Sequence, residues 1–266
     1  YQGIKGLKVK YLSADPSNLA QGDVWYNSTS NTFKSLVSSE AWSSCSPMLA
    51  DTGQVGSFGI QTSAVSAGGR PLPAQGTTSE EYNGSGWVAG GTLSQKRVAM
   101  GQGGTLTAGL IFDGEIASIP PAPNSTTATE EYDGTSWTGG GATPVGKAAL
   151  GSAGTQAAGL GFGGYITPAD PGTQVATSEE YNGSTWTAGG TMIQARRDFV
   201  HGVMGTQTAA LGVGGRINGT HTGATEEYDG TTWVAVPAMP ATIDNGAGAG
   251  LQTSALAFGG LSAPGV

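Results

Sequence analysis

The chain has 266 residues, 47 of them Gly, and a formal charge of −8 from nineteen acids against eleven Lys and Arg. So acidic a chain lacks the positive footprint that nucleic-acid binding requires, and no apolar run approaches the ~18 residues of a membrane-spanning helix. Cys45 is alone, which excludes an internal disulfide and a cysteine-based zinc site; it reads as a small, buried or half-buried side chain.

Residues 1–22 form an arm and connector, and 23–266 a single repeat array. In the arm, "IKGLKVKYL" (4–12) is basic and alternating, as expected of a strand or an arm donated to a partner. "SADPSNLAQGD" is a turn-rich connector, and "GDVWYNSTSNTFKSLV" reads as a hairpin with Asn27 to Asn31 at its tip. Beyond it the motif "EEYNGSGW" (80–87) recurs as "EEYDGTSW" (130–137), "EEYNGSTW" (179–186) and "EEYDGTTW" (226–233). Its tyrosines, Tyr82, Tyr132, Tyr181 and Tyr228, stand 50, 49 and 47 residues apart. A period near fifty argues for one array of supersecondary units.

Taking Trp as the register exposes a further copy. Trp87, Trp137, Trp186 and Trp233 are each followed 26 to 28 residues later by Asp113-Gly114, Gly163-Gly164, Gly214-Gly215 or Gly259-Gly260. Trp42 reaches Gly68-Gly69 by the same rule, so "KSLVSSEAW" (34–42) is a degenerate fifth motif. A short apolar run precedes every glycine pair, as in "GTQAAGLGFGG", and reads as a buried strand. Asn-Gly or Asp-Gly between Tyr and Trp signals a hairpin whose two turn positions both take φ > 0. Ten residues after Trp stand Arg97, Lys147 and Arg196, with Thr52 and Ile243 in the outer units. Each period thus predicts four short antiparallel strands, the content of one β-propeller blade.

A glycine pair closing the second strand, then Tyr, then Trp five residues on, then a basic residue, resembles the kelch repeat over roughly 34–260. The resemblance implies an all-β, five-bladed kelch-like β-propeller with four antiparallel strands per blade. The chain enters on a Trp unit and leaves on a glycine-pair unit, so the N- and C-terminal strands together close the last blade, removing open edges.

"GDVWYNSTSNTFK" is similar to a segment of bacteriophage tail-fibre and other virion proteins, and the "EEYNGSTWTAGG" style of repeat resembles marine-phage structural proteins. That family implies a virion-surface (extracellular) tail fibre, spike or head fibre that recognises a host glycan or receptor. Residues 1–22 would dock onto other virion proteins, and the chain is a candidate homo-oligomer. The alternatives are a purely structural decoration or adaptor protein, and a cellular carbohydrate-binding or carbohydrate-active propeller.

No catalytic constellation assembles from the sequence, and a non-enzymatic protein without cofactor is expected. A kelch-like copper site needs His, Tyr and Cys ligands, and only His201, His221 and Cys45 are on offer, in units of different phase, so no metal is expected. Successive strand residues point to opposite faces, so the carboxylates of each Glu-Glu pair diverge rather than chelate. One is expected to meet Arg97, Lys147 or Arg196 and the other to face solvent. The tryptophans and the tyrosines Tyr82, Tyr132, Tyr181 and Tyr228, repeated in every unit, read as the packing layer. Recognition is expected where units differ, in loops 70–79, 115–129, 165–178 and 216–225 and tail 261–266, with Arg70, Tyr165, Arg216, Asn218 and His221 as candidate ligand-binding residues.

Overall fold

A computed structural model describes residues 10–17, 24–35, 44–71, 76–116, 124–166 and 173–262. Trp42, most of the N-terminal arm, the tips of three variable loops and the tail from 263 lie outside the described residues. The described chain is all-β, built mostly from antiparallel sheets, with no helix among the described residues. It divides into two compact units, 1–45 and 46–266.

In the first unit Lys10–Leu12 pairs in parallel with Val24–Asn27, which forms the expected hairpin with Thr32–Ser35. Its hub is Asp15, which accepts hydrogen bonds from Trp25 Nε1 (2.9 Å), Asn27 Nδ2 (2.7 Å) and Lys34 Nζ (2.7 Å). Lys34, then Asn27 and Trp25, hold the Asp15 carboxyl down to about 2. Cys45, expected to be at least half-buried, is exposed, because it lies in an extended segment that belongs to no sheet.

The second unit holds four four-stranded antiparallel sheets whose spatial order follows the chain. The first comprises Gly56–Ile60, Ser63–Ala67, Thr78–Tyr82 and Trp87–Thr92. The second comprises Gly101–Thr105, Ala108–Phe112, Thr129–Tyr132 and Trp137–Gly139. The third comprises Gly151–Thr155, Ala158–Phe162, Ser178–Tyr181 and Trp186–Ala188. The fourth comprises Gly205–Thr206, Ala209–Val213, Thr225–Tyr228 and Trp233–Val236. A two-stranded hairpin, Ala247–Leu251 with Ser254–Phe258, ends the series, so the four-strand period read from the sequence is present four times among the described residues.

The Tyr-to-Trp connections differ from expectation in one respect. Only the glycines Gly84, Gly134, Gly183 and Gly230 adopt positive φ. The preceding Asn or Asp instead caps the turn with its side chain: Asp133 Oδ1, for example, accepts the N–H groups of Thr135 and Ser136, both at 2.8 Å. A four-residue turn closed by a side chain replaces the tight two-residue one.

Consecutive sheets touch through their first strands, where small residues let backbones meet. A Cβ on Gly202 would stand 1.8 Å from the Gly248 carbonyl oxygen, and one on Gly109 would stand 2.3 Å from the Phe58 ring of the preceding sheet. Three side-chain links repeat at these interfaces. Gln156, Gln207 and Gln252 each donate Nε2 to two carbonyls of the preceding sheet at 2.7–3.1 Å. Trp137, Trp186 and Trp233 donate Nε1 back to Ser79, Thr129 and Ser178. The hydroxyls of Tyr132, Tyr181 and Tyr228 donate back to Glu81, Glu131 and Glu180.

The second Glu of these three pairs therefore does not face free solvent as expected, because the hydroxyl of the next sheet's tyrosine reaches it. The basic partner expected for one Glu of each pair is found at the first: Glu130, Glu179 and Glu226 pair with Arg97, Lys147 and Arg196, whose side chains are fully buried. Glu80, whose unit has Thr52 at the basic position, accepts the backbone N–H groups of Leu49 (2.8 Å) and Ala50 (3.1 Å) instead.

One interface departs from the pattern twice. Asp113 replaces the first glycine of a pair, with φ at 57°, and the neighbouring basic residue is Lys147 rather than Arg. The Asp113 carboxyl is wholly buried and accepts a hydrogen bond from Thr143, while its Oδ2 makes none. Burial pushes it up to about 7 against the opposing pull of Lys147. A carboxyl raised in the folded state contributes stability that is present below its ordinary range and lost as pH rises through about 7. Asp113→Asn is thus expected to gain in melting temperature relative to the parent between pH 5 and pH 8; a pH-independent difference would refute this account.

The Tyr–Glu link predicts a contrast within one residue type. Tyr181→Phe loses a hydroxyl that donates to Glu131 at 2.6 Å and accepts from Gly141 N–H, and should cost about 1–2 kcal/mol in urea unfolding. Tyr26→Phe, whose hydroxyl donates to Asn31 at 3.2 Å in an exposed setting, should cost well under ~1 kcal/mol.

Candidate functional site

Positive φ at the glycine pairs turns the chain out of each sheet, and the next residue opens a short ribbon. Those next residues occupy one repeat position: Arg70, Glu115, Tyr165, Arg216 and Leu261. Each bridges, backbone to backbone, the residue eleven after a Trp, namely Gly53, Val98, Ala148, Arg197 and Asp244. Backbone geometry repeats at these two positions while chemistry does not.

The differing side chains meet in two groups. In one, Tyr165 donates its hydroxyl to Glu115 at 3.0 Å, and Arg70 stands 4.0 Å from the other Glu115 oxygen. The Arg197 guanidinium lies 5.0 Å from the Tyr165 ring centroid, a cation–π distance, and its Nε is 3.5 Å from Asp198. Burial, then the Glu115 charge, drives the Tyr165 phenol above its usual range, so at physiological pH it is a neutral hydrogen-bond donor. In the second group the fully buried Asp244 pairs with Arg216 and accepts a hydrogen bond from His221 Nδ1 at 3.1 Å.

Of the five residues singled out from the sequence, Arg70 and Tyr165 come together through Glu115, and Arg216 and His221 through Asp244. Asn218 joins neither group: it is exposed at a ribbon turn with φ at 50°, and its N–H donates to Gln174 Oε1 at 3.1 Å. Sequence reasoning passed over Glu115, Arg197, Asp198 and Asp244. Their signal was present in the repeat register: Arg197, Asp198 and Asp244 stand eleven or twelve residues after a Trp and Glu115 directly after a glycine-pair position, and these positions change chemical class from unit to unit.

The twelfth positions are Gln54, Ala99, Ala149, Asp198 and Asn245, all at φ of 49–56°. Ala99 N–H donates to Gln54 O (3.2 Å), Ala149 to Ala99 (2.9 Å), Asp198 to Ala149 (2.9 Å) and Asn245 to Asp198 (3.0 Å). This chain of bonds joins five equivalent residues, and all five line one cavity of about 280 Å³. Glu115 and Tyr165 line it too, linking it to the first group.

No family model matches the chain, and no curated protein is significantly similar to it.

The second group makes a stability prediction. Asp244→Ala leaves the partly buried Arg216 and His221 without their carboxylate. The expected loss is about 2–3 kcal/mol in chemical denaturation, below the ~3–5 of a fully buried pair because Arg216 retains some water contact; a loss under ~0.5 kcal/mol would show the pair to be solvated.

Proposed function

We propose that residues 46–266 belong to a five-bladed, kelch-like β-propeller serving as a non-enzymatic recognition module on a virion surface, directed at a host glycan or receptor. One observation carries the recognition reading: positions between sheets repeat their chemistry, whereas Arg70, Glu115, Tyr165 and Arg216 occupy equivalent backbone sites with different chemistry. Variation confined to one set of positions on a rigid scaffold is the pattern of a binding surface. The phage-like "GDVWYNSTSNTFK" segment and repeat style support placement on a particle, where many weak copies bind by avidity. The last hairpin is compatible with a further, incomplete blade: Leu256 is 56% exposed there, while its counterpart Leu160 in a complete sheet is fully buried.

A structural role for the first unit rests on its own observation. Tyr11 and Phe33, 72% and 71% exposed, flank Tyr26 with ring centroids 5.0 and 5.1 Å apart. Such an aromatic surface suits attachment to another virion protein, so this unit would anchor while the repeats recognise.

A printed glycan array tests the recognition reading. Selective binding by the full chain is expected, weakened at least tenfold by Arg70→Ala at unchanged melting temperature, and by Tyr165→Phe alongside the modest stability cost of its lost bond to Glu115. A blank array with normal particle assembly would leave only the structural role.

A further inference from the structure

We propose that the cavity ringed by the five left-handed residues binds one neutral hexose ring, the terminal sugar of the glycan that the recognition reading calls for; the inference rests on that reading.

Size comes first. Pockets for drug-sized ligands run from about 300 to 1,000 Å³, so a cavity of about 280 Å³ admits one ring and excludes an oligosaccharide. Charge comes next. The acids lining it are already matched, Glu115 by Tyr165 and Arg70, and Asp198 by Arg197. Among the described lining residues each carboxylate has a cationic group within 4.0 Å, which favours a neutral ligand over a cation.

The mixed lining completes the argument. Ala99, Ala149, Val55 and Met100 supply apolar surface, and Gln54, Asp198, Asn245 and His201 supply polar groups, with His201 Nε2 3.2 Å from Asn245 Oδ1. A hexopyranose carries the same two kinds of surface, apolar C–H groups and hydroxyls. Carboxylate and amide groups suit the hydroxyls because they serve them as acceptors and, for the amides, as donors. Glu115 and Tyr165 belong to both cavity and face, so the rest of the glycan would leave past them, over the variable surface.

The test is a saturation-transfer NMR titration of the 266-residue chain with D-glucose, D-galactose, D-mannose and L-fucose, with glucosamine and glucuronate as charged controls. At least one neutral sugar is expected to bind saturably, with a dissociation constant on the order of 1 mM for about twelve heavy atoms. Asp198→Ala and Asn245→Ala should each weaken it at least tenfold. Both should fold, because Ala already occupies this backbone conformation at 99 and 149. The inference is overturned if no neutral sugar saturates, if a charged control binds better, or if binding survives both substitutions. Should the array still show glycan binding in that event, the cavity assignment alone falls; a blank array would remove the recognition reading with it.

Discussion

Three of the four complete sheets depend on the hydrogen bond and packing that their tyrosine, Tyr132, Tyr181 or Tyr228, makes with the sheet before it. Four short strands cannot bury two faces alone, so the faces are buried against neighbours. The tyrosine ring stacks on its own tryptophan, with centroids 4.9 Å apart for Tyr181 and Trp186, while its hydroxyl reaches the preceding sheet's glutamate. Tryptophan and glutamine donate across the same boundary in the same direction. Backbone-to-backbone approach of the first strands follows, and it explains why so much of each first strand is glycine.

The Glu-Glu pair shows how an apparent active site becomes scaffold. Pleating sends adjacent carboxylates to opposite faces. One side meets the incoming segment with its basic residue; the other meets the next tyrosine. A buried pair such as Arg196–Glu226 is not by itself a large stabilising term, since desolvation offsets the attraction. Its two further bonds, from Arg196 to the carbonyls of Gly214 and Ala224, tie the chain entering a sheet to the chain that has just left one. Specific geometry, more than net energy, is what this arrangement supplies.

The repeat departs from itself at a small set of equivalent backbone positions. An array of near-identical interfaces can hold a set of equivalent backbone positions rigidly whatever side chains they bear. The two positions that meet beside the glycine pairs, and the hydrogen-bonded series of left-handed residues next to them, use that freedom. They place acids, arginines, a tyrosine and amides within reach of one another from segments more than forty residues apart in sequence. The same freedom is visible at Asp113 and Lys147, where two departures meet inside an interface.

The sequence by itself determined the all-β class, the period, the four strands of each complete unit and the pairing of one glutamate of each pair with a basic residue, because each follows from local pattern: alternation, turn residues and register. It also identified Arg70, Tyr165, Arg216 and His221 as residues standing where units differ. Only the tertiary structure decided that Tyr165 meets Glu115, that Asp244 holds both Arg216 and His221, and that the second glutamates receive hydroxyls from the next sheet. Those pairings join residues about twenty to fifty apart. They are set by how far one sheet rotates against the next, and that angle is decided by packing between sheets, which no local pattern encodes.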